Sequence, residues 1–203
     1  MALKPILFNT EMVRAILEGR KTVTRRVVKP QPEGDGSRPE PLTTRPGYWN
    51  SWGDDNIYRQ PYQPGDILWV RETFTVVPDG SYIYKASVEC PDAWKGTWKS
   101  PYYMPREAAR IFLRVTGVWV ERLQDISEEQ AEDEGAPTAF EYNTPDGPVI
   151  ALDEDGYSYI GFKSVWEGTI KKKDRAAYGW DANPWVWVIE FKRISKEEAD
   201  LWN

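Results

Sequence analysis

The stretch Leu17 to Arg26, LEGRKTVTRR, gathers ammonium, guanidinium and hydroxyl groups within ten residues. Ammonium and guanidinium groups bind anions, and a threonine hydroxyl becomes a nucleophile when a neutral amine accepts its proton. The chain contains no histidine. Ser-His-Asp triads, Cys-His pairs and the common zinc sites are therefore excluded, and any general acid or base has to be Asp, Glu, Lys, Tyr or Cys.

The positive charge of this stretch contrasts with the rest of the chain, whose formal net charge is −6 over 203 residues. Residues 14–29 hold six basic residues against Glu18 alone, namely Arg14, Arg20, Lys21, Arg25, Arg26 and Lys29. That excess is enough for a few phosphate contacts, to which Arg106, Arg110 and Arg114 are candidate contributors. The alternative is that these cations pair with the acidic residues of 125–134.

Short elements must position these groups. Thr10–Leu17 predicts a helix with Thr10 as N-cap, an apolar stripe and Gly19 just past its end. Alternating β-branched residues in TVTRRVV predict a strand directly afterwards. Further along, Ser127 and Gln130 form a capping box that starts an acidic helix ending at Gly135. Because this helix has few apolar residues, we expect it on the surface or at the rim of a site.

The rest of the chain alternates strand patterns with long irregular segments. Four segments predict strands: ILWVRETFTV, SYIYKA, RIFLRVTGVWVERL and NPWVWVIEFKRI. Two predict helices, IGFKSVWEGTIKKK and a C-terminal one capped by Ser195 and Glu198. Residues 29–66 and 136–158 are expected to be loops or insertions with little regular structure. Short strands, few helices and long loops predict an α+β fold, a mixed β-barrel with short helices packed at its ends.

Composition limits the remaining options. One cysteine, Cys90, allows no intrachain disulfide and lacks a histidine to activate it. The apolar run within residues 1–8 is too short for a signal peptide, and no run reaches a membrane-spanning length, so a cytoplasmic location is expected. The LDEDGYS segment around Asp153 does not match the spacing of a calcium loop. We expect no cofactor, no metal and no membrane partner. Most of the eleven tryptophans are expected in the core.

Four segments, GRKTVTRR, PGDILWVRET, VTGVWVERLQDISEEQAEDEG and PWVWVIEFKRI, follow one another in the order found in the ASCH domain family, and the chain resembles that family. It is most similar to the longer ASCH proteins of phages and prophages. The G-x-K-x-x-T-x-R signature fits Gly19, Lys21, Thr24 and Arg26. The resemblance implies a PUA-like β-barrel and one domain spanning residues 1–203, with insertions at about 30–63 and 136–158.

The resemblance also implies a site. One small bacterial member is an N4-acetylcytidine amidohydrolase, and its catalytic positions correspond to Lys21, Thr24 and Glu134. Amide hydrolysis without histidine or metal needs a base, a nucleophile and a proton donor, which Lys21, Thr24 and Glu134 can supply in that order. Further residues are expected to bind the substrate: Gly19, Arg20, Thr22, Arg25, Arg26, Trp69, Arg71, Glu72 and Arg106.

Four alternative functions are compatible with the sequence, because a fold does not imply a function. The first is metal-independent deacylation of an N4-acetylcytidine-type base. The second is a non-catalytic module that binds RNA or a modified base, and the third is a metal-independent ribonuclease. The fourth is a phage protein whose insertions bind a partner. The expected ligand is a nucleoside, a modified base or RNA.

Overall fold

A computed structural model describes residues 2–33, 38–50, 56–91, 95–136, 139–144, 147–152 and 158–201, with the backbone alone described for 139–144 and 147–152. The calcium-like segment around Asp153 lies outside these residues. The fold is mixed α+β, as the sequence predicted. The chain divides into two compact units. Unit 1 consists of Met1–Arg20, Gln63–Thr116 and Phe191–Asn203, and unit 2 of Lys21–Tyr62 and Gly117–Glu190.

The elements are numbered in chain order. The strands are β1 (Leu3–Leu7), β2 (Val23–Val27), β3 (Glu40–Pro41), β4 (Tyr48–Asn50), β5 (Ile57–Arg59), β6 (Ile67–Arg71), β7 (Phe74–Val76), β8 (Tyr82–Tyr84), β9 (Phe112–Arg122), β10 (Ala139–Thr144), β11 (Gly147–Leu152) and β12 (Trp185–Ile194). The helices are α1 (Thr10–Leu17), α2 (Glu128–Asp133), α3 (Ser158–Thr169), α4 (Arg175–Tyr178) and α5 (Lys196–Asp200).

Unit 1 is built on sheet strands in the order β1-β6-β9-β12. β1 runs parallel to β6, with Leu3 opposite Ile67, and β6 runs antiparallel to the start of β9. A buried carboxylate ties the first two strands together, because Asp66 accepts hydrogen bonds from the Ala2 amide at 2.8 Å and from Lys4 Nζ at 2.6 Å. Ile67, Leu68 and Val70 of β6 and Phe112, Leu113 and Val115 at the start of β9 are each at most 4% exposed and form the buried part of this sheet.

Unit 2 is built on the order β9-β12-β2, with β12 antiparallel to β2. Its core packs Val23 of β2 and Val186 and Val188 of β12 against Phe162 and Trp166 of α3. Phe162 and Trp166 are four residues apart and therefore share one face of the helix that the sequence predicted here. This core holds the strand that carries the candidate site residues.

The two predicted insertions contain more structure than expected. Residues 29–66 include a three-stranded antiparallel sheet, β3-β4-β5, and residues 136–158 include the β10–β11 hairpin. Trp49 and Tyr58 anchor the small sheet. Trp49 is 8% exposed, packs edge-on against Trp187 at 5.6 Å and donates to Gln60 Oε1 at 2.8 Å. Strands of two or three residues are too short to show a period of two, so proline and glycine dominated the sequence pattern.

Two local boundaries also differ from the sequence prediction. The N-cap of α1 is Asn9, whose side chain accepts from the Met12 amide at 2.8 Å, and Thr10 is the first helical residue. The predicted strand ILWVRETFTV is two strands, because the chain leaves the sheet at Glu72. The Glu72 carboxylate is 1% exposed and receives two hydrogen bonds from Arg110.

Several sequence predictions are confirmed. The Ser127–Gln130 and Ser195–Glu198 capping boxes start α2 and α5, and RIFLRVTGVWVERL contains the strand β9. Of the eight described tryptophans, five are buried and three partly buried, which confirms their structural role in most positions. Within the described part of the chain, no helix combines the length and apolarity needed to cross a membrane.

Candidate active site

The start of β2 and the end of α2 are joined by a short antiparallel contact in unit 2. Lys21 and Glu134 form an isolated bridge there. The next residue fixes the register, because the Thr22 amide donates to the Asp133 carbonyl at 2.8 Å and its hydroxyl donates to Asp133 Oδ1 at 2.9 Å. Two residues 113 positions apart in the sequence are therefore held side by side through their backbones.

The Lys21 ammonium is enclosed and fully hydrogen-bonded. Its side chain is 0% exposed, and Nζ donates to Glu134 Oε2 at 2.5 Å, to the Glu134 carbonyl at 2.7 Å and to the Val23 carbonyl at 2.8 Å. An ammonium has three protons to donate, so these acceptors use all of them. The Val23 contact places Nζ beside the backbone of β2.

Burial is the main influence on the protonation of Lys21. It lowers the pKa of the Lys21 ammonium below its usual value of 10.5, and the nearby charges of Arg26 and Arg25 lower that pKa further. The charge and hydrogen bond of Glu134 oppose the shift without cancelling it. Lys21 therefore releases its proton more easily than a lysine in water, which is the property a general base requires.

Glu134 differs from the other acidic residues of its segment. It is the C-cap of α2, with φ −70° and ψ −7°, and its side chain is 3% exposed, whereas Glu129 and Glu132 face the solvent. Ile126 and Ala131, on either side of the capping box, are buried in the unit 2 core and hold α2 against it. Anchoring at the apolar positions turns the last acidic residue inward.

Arg25 connects this pair to a second buried carboxylate. Its guanidinium donates to Glu121 Oε1 from Nε at 2.9 Å and from Nη2 at 2.6 Å, and to Glu134 Oε1 from Nη1 at 3.3 Å. Nη2 also reaches the Gln130 side chain at 3.0 Å. Trp119 donates to the other oxygen of Glu121 at 2.9 Å. The result is a buried network of alternating charges: Lys21, Glu134, Arg25 and Glu121.

Thr24 and Arg26 alternate with Arg25 along β2. Successive strand residues point to opposite faces, so Thr24 and Arg26 project away from the face that carries Arg25. Thr24 is 2% exposed, and among the described residues no hydrogen bond joins its hydroxyl to Lys21 or Glu134. Arg26 is partly buried. Burial lowers the pKa of Arg26, and the charges of Tyr62 and Glu134 oppose that change. The structure thus brings together Lys21, Glu134 and Arg25, and the charge of Arg26 also acts on Lys21 and Glu134. It does not bring the Thr24 hydroxyl into hydrogen-bond contact with them.

The charge excess of residues 14–29 is largely compensated within the protein. Arg14 pairs with Glu11 at 3.0 Å, Arg20 pairs with Glu18 at 2.6 Å, and Lys21 and Arg25 bind carboxylates of α2 and β9. For Lys21 and Arg25 the expectation of phosphate contacts is replaced by the alternative, pairing with the acidic segment. Burial explains this outcome, because a buried cation without a counter-charge is costly.

The turn at Gly19 is exposed. Gly19 has φ +81° and its amide donates to the Ile16 carbonyl at 3.2 Å, while the Arg20 amide donates to the Ala15 carbonyl at 2.9 Å. Both amides are therefore engaged within the chain, as expected for a left-handed helix end. Their role in substrate binding stays a prediction.

The remaining predicted residues lie in unit 1. Trp69 is partly buried, and the Arg71 guanidinium lies 5.4 Å from its ring centre. Glu72 is held by Arg110, and Arg106 is exposed. The Glu72 carboxylate is therefore occupied by an internal cation, and its expected role in substrate binding stays a prediction.

Sequence reasoning missed Glu121, Gln130 as a ligand of Arg25, and Asp133. A signal for Glu121 exists, because a carboxylate between Val120 and Leu123 in a buried strand requires a partner. Gln130 was identified only as a capping residue, yet its side chain accepts from the Ser127 amide as well as from Arg25. The described residues contain no group of three or more His, Cys, Asp or Glu arranged to hold a metal ion.

Comparisons with protein-family models, curated proteins and solved structures each find no match to this chain.

Proposed function

We propose that this chain is an ASCH-type protein with a PUA-like barrel that recognises a nucleoside or nucleic-acid base and deacylates an N4-acetylcytidine-type base. The observation that carries the proposal is the buried contact between Lys21 and Glu134 at 2.5 Å. These are two of the three positions that the family resemblance nominated, and they meet despite their separation in sequence. A lysine with a lowered pKa can act as a general base, and a carboxylate beside it can act as a general acid.

The proposed reaction begins with a proton transfer inside the ion pair. Its transfer from Lys21 Nζ to Glu134 Oε2 yields a neutral amine and a neutral acid. The amine then accepts the proton of the Thr24 hydroxyl while that oxygen attacks the acyl carbon. Glu134 gives its proton to the cytosine nitrogen as the C–N bond breaks. Water hydrolyses the acyl-threonine, so that the amide and one water become cytidine and acetate.

This mechanism sets a geometric condition. The Lys21 amine has to exchange one of its three present acceptors for the Thr24 hydroxyl. The Val23 carbonyl is the suitable one to leave, because the other two acceptors belong to Glu134. Substrate binding would drive the exchange if it positions Thr24 toward the amine.

The decisive experiment incubates the protein with N4-acetylcytidine and measures cytidine by chromatography. Thr24→Val removes the nucleophile without breaking a hydrogen bond among the described residues, and we expect it to lower turnover at least about a hundredfold. Thr75→Val is the matched control, because Thr75 is also a buried strand threonine, 8% exposed, in unit 1. Turnover that survives Thr24→Val would refute the mechanism, and absence of turnover by the unmodified protein would refute the activity.

A second function, base recognition without chemistry, is favoured by one observation. All three protons of Lys21 are used internally, which describes a structural ion pair as well as a resting base. Calorimetric titration with cytidine and N4-acetylcytidine separates the two functions. Binding of either nucleoside without turnover would favour base recognition without catalysis.

A further inference from the structure

The segment Lys95–Arg106, KGTWKSPYYMPR, has an unusual composition for an acidic chain. It contains three basic residues, three aromatic residues and no acidic residue. It lies entirely in unit 1, and no step of the proposed reaction uses it. Ser100 caps a single helical turn, Pro101–Tyr103, which presents two adjacent tyrosines.

Tyr102 and Tyr103 are exposed, whereas no other aromatic residue whose side chain the structure describes is exposed. They are 66% and 71% exposed, and their ring centres lie 5.3 Å apart at an interplanar angle of 90°. The tryptophans and phenylalanines whose side chains are described are all buried or partly buried. Two adjacent rings left in water by a fold that covers the others indicate a surface that stacks on a ligand.

Arg71 is in contact with this surface. Its guanidinium lies near two rings, 5.4 Å from the centre of Trp69 and 5.6 Å from that of Tyr102, and Nη2 donates to the Tyr102 carbonyl. Its Nε is buried and has no hydrogen-bond partner among the described residues, where Arg71 also has no carboxylate partner. Among the described residues, the positive charge beside Tyr102 is therefore not neutralised by an ion pair.

The cations around the rings determine the class of partner. Lys95, Lys99 and Arg106 are exposed at the two ends and the middle of the segment. We propose that Lys95–Arg106 together with Arg71, here called the tyrosine surface, binds single-stranded nucleic acid. Unpaired bases stack on tyrosine rings, and the phosphates between them contact lysine and arginine. Perpendicular rings do not form the flat apolar face that a membrane or a partner helix needs. This inference does not depend on the proposed deacylation.

The test measures binding of fluorescent oligouridine and oligothymidine of about ten nucleotides, a length that one such surface spans. We expect the double variant Tyr102→Ala/Tyr103→Ala of the full chain to bind about a hundredfold more weakly, since each stacked ring contributes about tenfold. Lys99→Ala should reduce the slope of log affinity against log salt by about 0.7, the value for one phosphate contact on a single strand. Preference between the two oligonucleotides identifies RNA or DNA as the natural partner.

Matched controls keep the result interpretable. Leu201→Ala removes another exposed apolar side chain, 80% exposed, and Lys172→Ala removes another exposed lysine, both outside the tyrosine surface. Neither should change binding, and thermal unfolding should show that all variants fold. Equal binding by the tyrosine variant and the unmodified protein overturns the proposal. So does equal loss of binding in the two controls, or capture of acidic peptides in place of oligonucleotides.

Discussion

At the residue scale, the buried network of Lys21, Glu134, Arg25 and Glu121 combines two cations with two carboxylates. Each member is at most 8% exposed. Charges buried to this degree depend on their partners, because their hydration has been lost and only the opposite charges replace it. Substitution of one member should therefore cost more than the contact itself contributes.

Substitution of Lys21 and Glu134 tests that dependence. We expect Lys21→Met to lower the free energy of unfolding by about 3 kcal/mol or more, because Glu134 then keeps only the longer contact with Arg25. In the double variant Lys21→Met/Glu134→Gln no carboxylate is left unpaired by the loss of the lysine. The free energy of unfolding should therefore fall less in the double variant than the sum of the falls in Lys21→Met and Glu134→Gln, by about 1 kcal/mol or more. Urea unfolding measures all three, and strict additivity would show that the pair is not coupled.

The lowered pKa of Lys21 predicts how stability depends on pH. In the window between its folded pKa and its usual value of 10.5, the unfolded chain holds the lysine proton and the folded chain does not. The unfolded state then binds more protons, so the free energy of unfolding rises with pH across this window. Urea unfolding at several alkaline pH values should show this rise in the unmodified protein. Lys21→Met should flatten it, and an equally steep rise in that variant would assign it to another group.

The alkaline limit of that measurement is set by two tyrosines. Burial raises the pKa of Tyr62, opposed by the charge of Arg26, and burial also raises the pKa of Tyr84. A tyrosine with a raised folded pKa makes stability fall once the pH exceeds its usual value of about 10. The contribution of Lys21 is therefore best measured below pH 10, where the tyrosines do not yet titrate.

At the element scale, the predictable features are those with a local cause. The capping boxes at Ser127 and Ser195 and the left-handed end at Gly19 each follow from a few neighbouring residues. The burial of Glu134 does not, because it depends on where α2 packs. Nothing within EEQAEDEG distinguishes its last acid from the others. The family resemblance, not the periodicity, nominated that position.

The small sheet β3-β4-β5 illustrates a different limit. Its stability depends on the contact between Trp49 and Trp187, which are 138 positions apart and meet only in the folded chain. The same applies to the end of β6, where Glu72 leaves the sheet because it binds Arg110. Long-range contacts of this kind override local propensity, and a single sequence does not reveal them.

Two glycines provide a matched test of the element boundaries. Gly19 has φ +81° and Gly168 lies within α3, and a Cβ at either position would meet no atom within 4 Å. Only backbone conformation therefore separates them. We expect Gly19→Ala to lower the free energy of unfolding by about 1 kcal/mol and Gly168→Ala to raise it by up to about 1 kcal/mol. Urea unfolding measures both, and equal effects would argue against the left-handed turn before Lys21.

At the scale of the whole molecule, the net charge of −6 opposes general attraction to a polyanion. Cations that are compensated internally, such as Lys21 and Arg25, contribute little to any external field. Exposed basic residues cluster in three segments of the described chain: Lys95–Arg106 of the tyrosine surface, Lys171–Lys173 and Lys192–Lys196. Among the described residues, the last two have no exposed aromatic residue beside them, whereas the tyrosine surface has two.

This difference predicts a preference for single strands over duplexes. Tyrosine rings stack only on unpaired bases, so a duplex with the same number of phosphates should bind more weakly than a single strand at every salt concentration. The tyrosine surface carries four cations, Arg71, Lys95, Lys99 and Arg106, which limits the salt slope for a single strand to about three at a coefficient of 0.7 per phosphate. Fluorescence anisotropy across a salt series measures both quantities.

Lys172→Ala/Lys173→Ala is the control and should leave the salt slope unchanged. Two results would show that charge alone drives binding and that the tyrosines do not recognise bases. One is a salt slope above about three that becomes smaller in the Lys172→Ala/Lys173→Ala control. The other is a duplex bound as tightly as the single strand.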